Sequence, residues 1–412
     1  MAAIVKEGWS GSTDTVIVAT GTNYKDALAA AGLAGLYNSP VVLTEGKKLS
    51  SQAEGRLKAL APRKVYVAGG PVAISDTTLS QIRSATGADV DRIMGKTSAG
   101  TSAALARAGK GRWLDSTAII ATNKSFKDAL SVAPLSYAKR WPILLADNGQ
   151  SLSSEVVSAL RDCGIKKVYI VGGELAVTPR VVSQLKSANI TVNSRLAGKN
   201  GVATSRAIAD FALNNGLGAY RMAFATSQNF PDALAGAALC GKNRAVLLLA
   251  DDKAKDNISF AKDHASEIGT GYVFGGKSVF SDSLFARLSG NSPEAKFIKT
   301  LDGWWAHAGG LSSMTGSGYR SVMRIRNGSV TLYDGDGNIL SSSSCDEDDV
   351  KRLKDAPGSM TGPGWYLFSP NGYFCADSDP NTLCCVNYDG SGYSGTSSYV
   401  RLDGEPDWHR WK

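Results

Sequence analysis

Asp26, Asp128 and Asp232 recur at one position of a repeated aromatic-x-Asp-Ala-Leu stretch within the first 300 residues of this 412-residue chain. Repeated carboxylates raise the question of metal chemistry, because Mg²⁺ and Ca²⁺ sites gather several oxygen ligands. The equivalent strands, which follow the repeated helices, carry no Asp-x-Asp pair, only the isolated Asp147 and the adjacent Asp251 and Asp252. Asn23, Ser125 and Asn229 stand three residues ahead of the three aspartates, a capping-box-like spacing, so the aspartates are read as helix-start residues. Histidine is scarce: His264, His307 and His409 are the full set. Ser/His/Asp, Cys/His and most zinc hydrolysis need one. Cys375 with His409 is the one Cys/His pair to weigh in the C-terminal stretch, and no nucleophile signature surrounds Cys375. No catalytic residue, metal ligand or cofactor is assigned, and the chain is expected not to be an enzyme.

Basic residues recur too. Lys25 matches Lys127, and Arg92 and Lys96 match Arg195 and Lys199. A single lysine is ordinarily a solvated side chain, but recurrence at equivalent places points to an anionic groove. Arginine can hold phosphate or carboxylate with two donors, so Arg92 and Arg195 lead the set. Their competing role is an internal ion pair that holds a loop. The Gly-Gly turns at Gly69-Gly70, Gly172-Gly173 and Gly275-Gly276 fit neither the P-loop nor the dinucleotide-binding pattern and are read as tight turns.

Charge divides the chain. Residues 1–300 hold 36 Lys and Arg against 23 Asp and Glu, and residues 301–412 hold 9 against 14. A basic body attracts polyanions. It lacks the aromatic–basic interleaving, helix-turn-helix or zinc signatures of nucleic-acid binders, so nucleic acid is not the expected partner. No apolar run is long enough to span a membrane.

These residues sit in a threefold repeat. Sixteen residues after Tyr24, Phe126 and Phe230 come Pro40-Val-Val-Leu43, Pro142-Ile-Leu-Leu145 and Val246-Leu-Leu-Leu249, and the Gly-Gly pairs recur every 103 residues. Val16–Ala19, Ala118–Ala121 and Met222–Ala225 read as strands buried on both faces. Helices are expected after Asn23, over Ser51–Leu60 and over Ser75–Arg83, with a strand at Lys64–Ala68 between the last two. Alternation of this kind predicts a mostly parallel sheet covered on both faces. Arg92-Ile-Met-Gly95 leading to Thr101-Ser102 recurs as Arg195-Leu-Ala-Gly198 leading to Thr204-Ser205. Met1–Val5 matches the tail of a further copy, and the natural precursor is expected to continue upstream with an Arg-x-x-Gly segment and a signal peptide. Arg287-Leu-Ser-Gly290 lies too close to its Gly-Gly pair and reads as a helix end.

Residues 301–412 change character. Five of the eight tryptophans lie there, with Cys345, Cys375, Cys384 and Cys385, enough for two disulfides in any of three connectivities. Arg326-Asn-Gly-Ser329 and Asp334–Asn338 read as hairpin turns; the latter opens like a calcium loop but lacks that loop's Gly and Glu. Asp346–Asp349 before Val350–Leu353 suits a short helix.

Together the aromatic-x-Asp-Ala-Leu, Pro-x-Leu-Leu, Val-x-Gly-Gly and Arg-x-x-Gly…Thr-Ser motifs resemble the cell wall binding repeat 2 family over roughly residues 1–300. The resemblance implies three Toprim-like α/β modules about a pseudo-threefold axis, on surface and S-layer-associated proteins of Gram-positive bacteria. It also implies non-covalent anchoring to an anionic secondary wall polymer of teichoic or lipoteichoic type. The implied binding region lies near the module contacts, which adds Pro40, Val42, Leu43, Pro142, Leu144, Leu145, Leu248 and Leu249 to Lys25, Lys127, Arg92 and Arg195. The expected division is module 1 at 1–109, module 2 at 110–217, module 3 at 218–300, and a mainly-β module at 301–412. That last module would be displayed as an effector or adhesion module with a glycan or protein ligand. The alternative is a wall-associated hydrolase or protease with its active site in 301–412.

Overall fold

The computed structural model describes residues 1–251 and 254–289 and, beyond them, Asn338 and the strands between residues 303 and 402. The chain forms two compact units, Met1–Asp282 and Ser283–Lys412.

The first unit contains three parallel sheets built alike. Their central strands are β1 (Thr15–Thr20), β5 (Thr117–Thr122) and β9 (Gly218–Thr226). All of β1 and β5 is buried, as their unbroken runs of β-branched and small residues require. On one side lie β2 (Val41–Thr44), β6 (Ile143–Ala146) and β10 (Ala245–Ala250). On the other lie β3 (Lys64–Ala68), β7 (Lys167–Val171) and β11 (Thr270–Phe274). The first two sheets add β4 (Asp89–Ile93) and β8 (Thr191–Leu196), giving orders β2-β1-β3-β4 and β6-β5-β7-β8. The third is β10-β9-β11, with no fourth strand among the described residues. Arg287 and Leu288 close a helix, Asp282–Leu288, as their spacing from the glycines anticipated.

Behind each central strand a helix crosses the middle of the unit. In modules 2 and 3 these are unbroken, Lys127–Lys139 and Pro231–Lys242. In module 1 the single expected helix is divided into Tyr24–Leu28 and Ala30–Leu36. They pack closely because small residues face one another: a Cβ on Gly35 or Gly241 would strike Tyr137. At their N-terminal ends the rings of Tyr24, Phe126 and Phe230 meet with centroid separations of 5.8, 5.3 and 5.6 Å. Three nearly equal separations mark the approximate threefold axis.

Modules 1 and 2 each end in a helix that packs on the next module. Helix Ser98–Ala108 lies on β6 and on helix Ser154–Asp162 of module 2, and helix Gly201–Leu213 lies on β10 and on helix Lys255–Asp263 of module 3. Helix Ala2–Gly8 takes the corresponding place on module 1: it touches β2 and helix Ser51–Leu60 there and the central helix of module 3. The three junctions therefore close a ring.

The second unit is a nine-stranded antiparallel sheet among the described residues. Arg326 lies opposite Ser329 where strands Val322–Arg326 and Ser329–Tyr333 pair, the register that the expected hairpin requires; Asn327 and Gly328 themselves lie outside the described residues. Tyr333 pairs with Ile339 across the next hairpin. Val350–Leu353 corrects an expectation: it is a strand paired with Gly364–Ser369, not a helix. Its β-ladder overrides four residues of weak helical pattern. Cys375 lies opposite Cys384 in register. The bonding of Cys345, Cys375, Cys384 and Cys385, the calcium-like loop at 334–337 and the surroundings of the tail tryptophans lie outside the described residues.

Candidate functional site

The repeated motifs form two layers, one that builds the loops and one that joins the modules. The first glycine of each Gly-Gly pair is left-handed, with φ of 114° at Gly69, 99° at Gly172 and 139° at Gly275, where a side chain would be strained. Space is short as well: a Cβ on Gly69 would lie 2.7 Å from Asp26 Oδ2, and one on Gly172 2.5 Å from Asp128 Oδ2. The repeated aspartates thus lie in the first helical turn, as expected, but their carboxylates cover the Gly-Gly turns. Burial pushes the Asp128 carboxyl up to about 6, against the opposing pull of Lys127, and pushes Asp26 up despite its hydrogen bond with Thr101. Asp232 differs: half exposed, it lies 3.7 Å from the Met1 ammonium.

Arg92 and Arg195 clamp the same turns from the other side. Arg92 donates to the Gly69 carbonyl at 2.8 Å and to Asp76 at 3.0 Å. Arg195 donates to the Gly172 carbonyl at 2.7 Å. These are the contacts of a loop clamp, the competing role for the pair, and they leave less of each guanidinium for a ligand.

The Thr-Ser pairs make the second layer. Thr101 and Thr204 accept from the N–H of Gly95 and Gly198 at 3.2 and 3.1 Å. Ser102 accepts from Leu145 N–H at 3.0 Å and donates to its own helix, and Ser205 does the same with Leu249 N–H at 3.0 Å. A serine of one module therefore fixes the Leu-Leu strand of the next. The apolar candidates are buried: Pro40, Val42 and Leu43 at β2, Pro142, Leu144 and Leu145 at β6, Leu248 and Leu249 on β10. Their side chains are packed beneath the junctions, because strands covered on both faces leave them no open side.

The cleft itself opens between modules 2 and 3, with a volume of about 410 Å³. Lys127 comes from the central helix of module 2; Lys199, Asn200 and Gly201 form the start of that module's terminal helix; Ser227, Asp251, Lys255 and Asp256 come from module 3. Among the described residues neither Lys127 nor Lys199 makes a side-chain hydrogen bond or ion pair. Asn200 caps the helix by accepting from Ala203 N–H at 2.9 Å, and the first-turn N–H groups, unsatisfied within any helix, line the opening. Ser227 donates to Asp251 at 2.6 Å. Two substitutions explain why this junction is open. At the first junction, Asn123 reaches Ser98 at 3.0 Å and Asp147 at 3.4 Å. At the second, Ser227 and Gly201 occupy the places of Asn123 and Ser98, and the Lys127 stem lies where a Cβ on Gly201 would stand 2.6 Å away.

The structure thus brings Lys127 and Lys199 into one site, leaves Lys25 exposed at the first junction and commits Arg92 and Arg195 to loops. Reading the sequence alone missed Asn200, Gly201, Ser227, Lys255 and Asp256. The signal available was the loss of side-chain bulk at positions 201 and 227. Among the described residues, no group of three or more His, Cys, Asp or Glu is placed to hold a metal ion.

Comparison with known proteins gives a consistent result. The sequence model of cell wall binding domain 2 matches residues 1–79, 92–182 and 195–285, well over half the chain. Two of these matches begin at Arg92 and Arg195, so the family unit opens near the end of a fourth strand and takes in the helix that reaches into the following module. N-acetylmuramoyl-L-alanine amidase LytC of Bacillus subtilis (strain 168) is 31% identical over 246 residues, 60% of this chain and 47% of LytC. Amidase enhancer of the same strain is 27% identical over 259 residues, 61% of this chain and 34% of its own length. The chain spans less than half the length of either relative. Cwp6 from Clostridium difficile superposes with a TM-score of 0.62 at 23% identity over 71% of this chain and 46% of Cwp6. Cwp8 from the same organism gives 0.61 at 22% over 70% and 49%. These two likenesses show the fold.

Proposed function

Since the chain belongs to the cell wall binding domain 2 family and is by that membership a wall-binding protein of the cell surface, we propose that its ligand is an anionic secondary wall polymer of teichoic or lipoteichoic type, one segment of which lies in the cleft between modules 2 and 3. The observation that carries this reading is the meeting of Lys127 and Lys199, whose ammonium groups make no hydrogen bond or ion pair among the described residues, with the N-terminus of helix Gly201–Leu213. Lys255 adds a third ammonium, and Asp251 and Asp256 offset two of the three. The helix end contributes roughly half a positive charge. A cleft with a modest positive excess, open along one side, suits a long chain of spaced anions, which gains affinity by repetition. We place no reaction in the chain: the modules anchor and the C-terminal unit is displayed.

The test is Lys127→Gln with Lys199→Gln, assayed on isolated walls. Loss of even one charge-assisted contact, about 1.5 kcal/mol, weakens binding about tenfold. Unchanged binding rejects the cleft. A second reading, a wall hydrolase acting through residues 301–412, draws on the reaction named for LytC. Release of new amino or reducing ends from purified walls by the full chain favours that reading, and walls left intact favour display.

A further inference from the structure

The three central helices also end together, at the opposite pole of the axis from the aromatic triad. Asn38, Arg140 and Arg244 follow them at equivalent places, and all are left-handed, with φ of 48°, 55° and 53°. A cavity of about 250 Å³ lies between them, lined also by Tyr137 and Lys242. It is well removed from the cleft: Lys127 begins the helix that Arg140 ends, and thirteen residues of helix span roughly 20 Å.

Two observations distinguish this pocket from ordinary basic surface. The first is conformational. Asparagine enters the left-handed region easily, as Asn38 does, whereas other side chains pay about 1–2 kcal/mol. Two of the three equivalent positions nevertheless carry arginine, a local penalty of the kind that accumulates at functional sites. The second is electrostatic. The cavity lining contains no carboxylate. Three helix C-termini bring roughly −0.5 each, while Arg140, Arg244 and Lys242 bring three full positive charges, so offsetting the dipoles uses only about half of the charge present. Lys242 is engaged, donating to the Gly8 carbonyl and lying 4.7 Å over the Trp9 ring. Among the described residues the guanidinium groups of Arg140 and Arg244 make no hydrogen bond or ion pair. Tyr137 donates to Asn38 Oδ1 at 3.2 Å, which fixes the Asn38 amide and directs its NH₂ elsewhere.

We propose that this axial pocket binds a phosphate group, held by the forked donors of Arg140 and Arg244 with the Asn38 amide as a neutral partner. The volume is just below the roughly 300 Å³ at which ordinary small-molecule pockets begin, and fits a phosphate with its waters or one phosphorylated sugar unit. The site is independent of the cleft. Its phosphate is either the free ion or part of a wall polymer.

The test is calorimetric titration of the full chain with inorganic phosphate at low salt, for the wild type, for Arg140→Asn with Arg244→Asn, and for a charge-matched control, Arg180→Gln with Lys186→Gln, which changes exposed residues outside the pocket. The asparagine variant should lose at least tenfold in phosphate affinity and melt no lower than the wild type, since asparagine is at ease in the left-handed region. The control should keep its affinity. Absence of phosphate binding by the wild type, or equal weakening in variant and control, overturns the proposal. Once phosphate affinity is lost in the asparagine variant alone, sedimentation of that variant with walls identifies the source. Weaker sedimentation assigns the phosphate to the polymer, and unchanged sedimentation assigns it to the free ion.

Discussion

Asp128 is a carboxylate whose charge is penalised by its surroundings. Burial over Gly172 raises its pKa from 3.8 to about 6, with Lys127 opposing. The folded chain therefore binds this proton more tightly than the unfolded chain. Its contribution to stability is fully present below about pH 4 and is lost as pH rises through about 6. Asp128→Asn removes that dependence without changing shape. The variant should match the wild type near pH 4 and exceed it by about 1–3 kcal/mol at pH 7.5, read from denaturant midpoints at both pH values. Ser205 serves as a hydrogen-bond partner across a junction. Ser205→Ala leaves Leu249 N–H and one donor of Asn257 without the hydroxyl, and should cost about 1–3 kcal/mol by the same measurement. No change there would show that the junction does not depend on this bond.

The elements were legible wherever a local pattern determines them. Ser51–Leu60 and Lys64–Ala68 lie where the apolar spacing puts them, and Ser75 caps the helix that follows it. The Gly-Gly turns and the small-residue helices are equally local signals. Sheet order was not legible, because nothing in a strand's own residues says that β3 pairs with β1 and not with β2. Nor was the direction of Arg92, which depends on a carbonyl 23 positions earlier. The cleft was the hardest feature to anticipate. It appears where the second junction departs from the first, through Gly201 of module 2 and Ser227 of module 3, and these positions lie outside the recurring motifs. Close helix packing carries its own prediction. A Cβ on Gly35 meets the backbone of Tyr137, which cannot rotate away, so Gly35→Ala should destabilise the first unit by about 1–3 kcal/mol, seen as a lower melting temperature.

At the scale of the molecule, three modules close a ring through three junctions of one design. Helix Ala2–Gly8 supplies the third junction, joining the third module to the module that begins the chain. The basic charge belongs to this ring-forming part and the acidic excess to residues 301–412. On the proposed reading the division is functional, with one part held on an anionic matrix and the other repelled from it. Binding through the cleft lysines should then weaken as salt rises from low to physiological strength, where the screening length falls to about 8 Å. The most direct measurement is co-sedimentation of the full chain with purified walls before and after chemical removal of their anionic polymer. The account predicts binding to intact walls and little to stripped ones. Equal binding to both would contradict it.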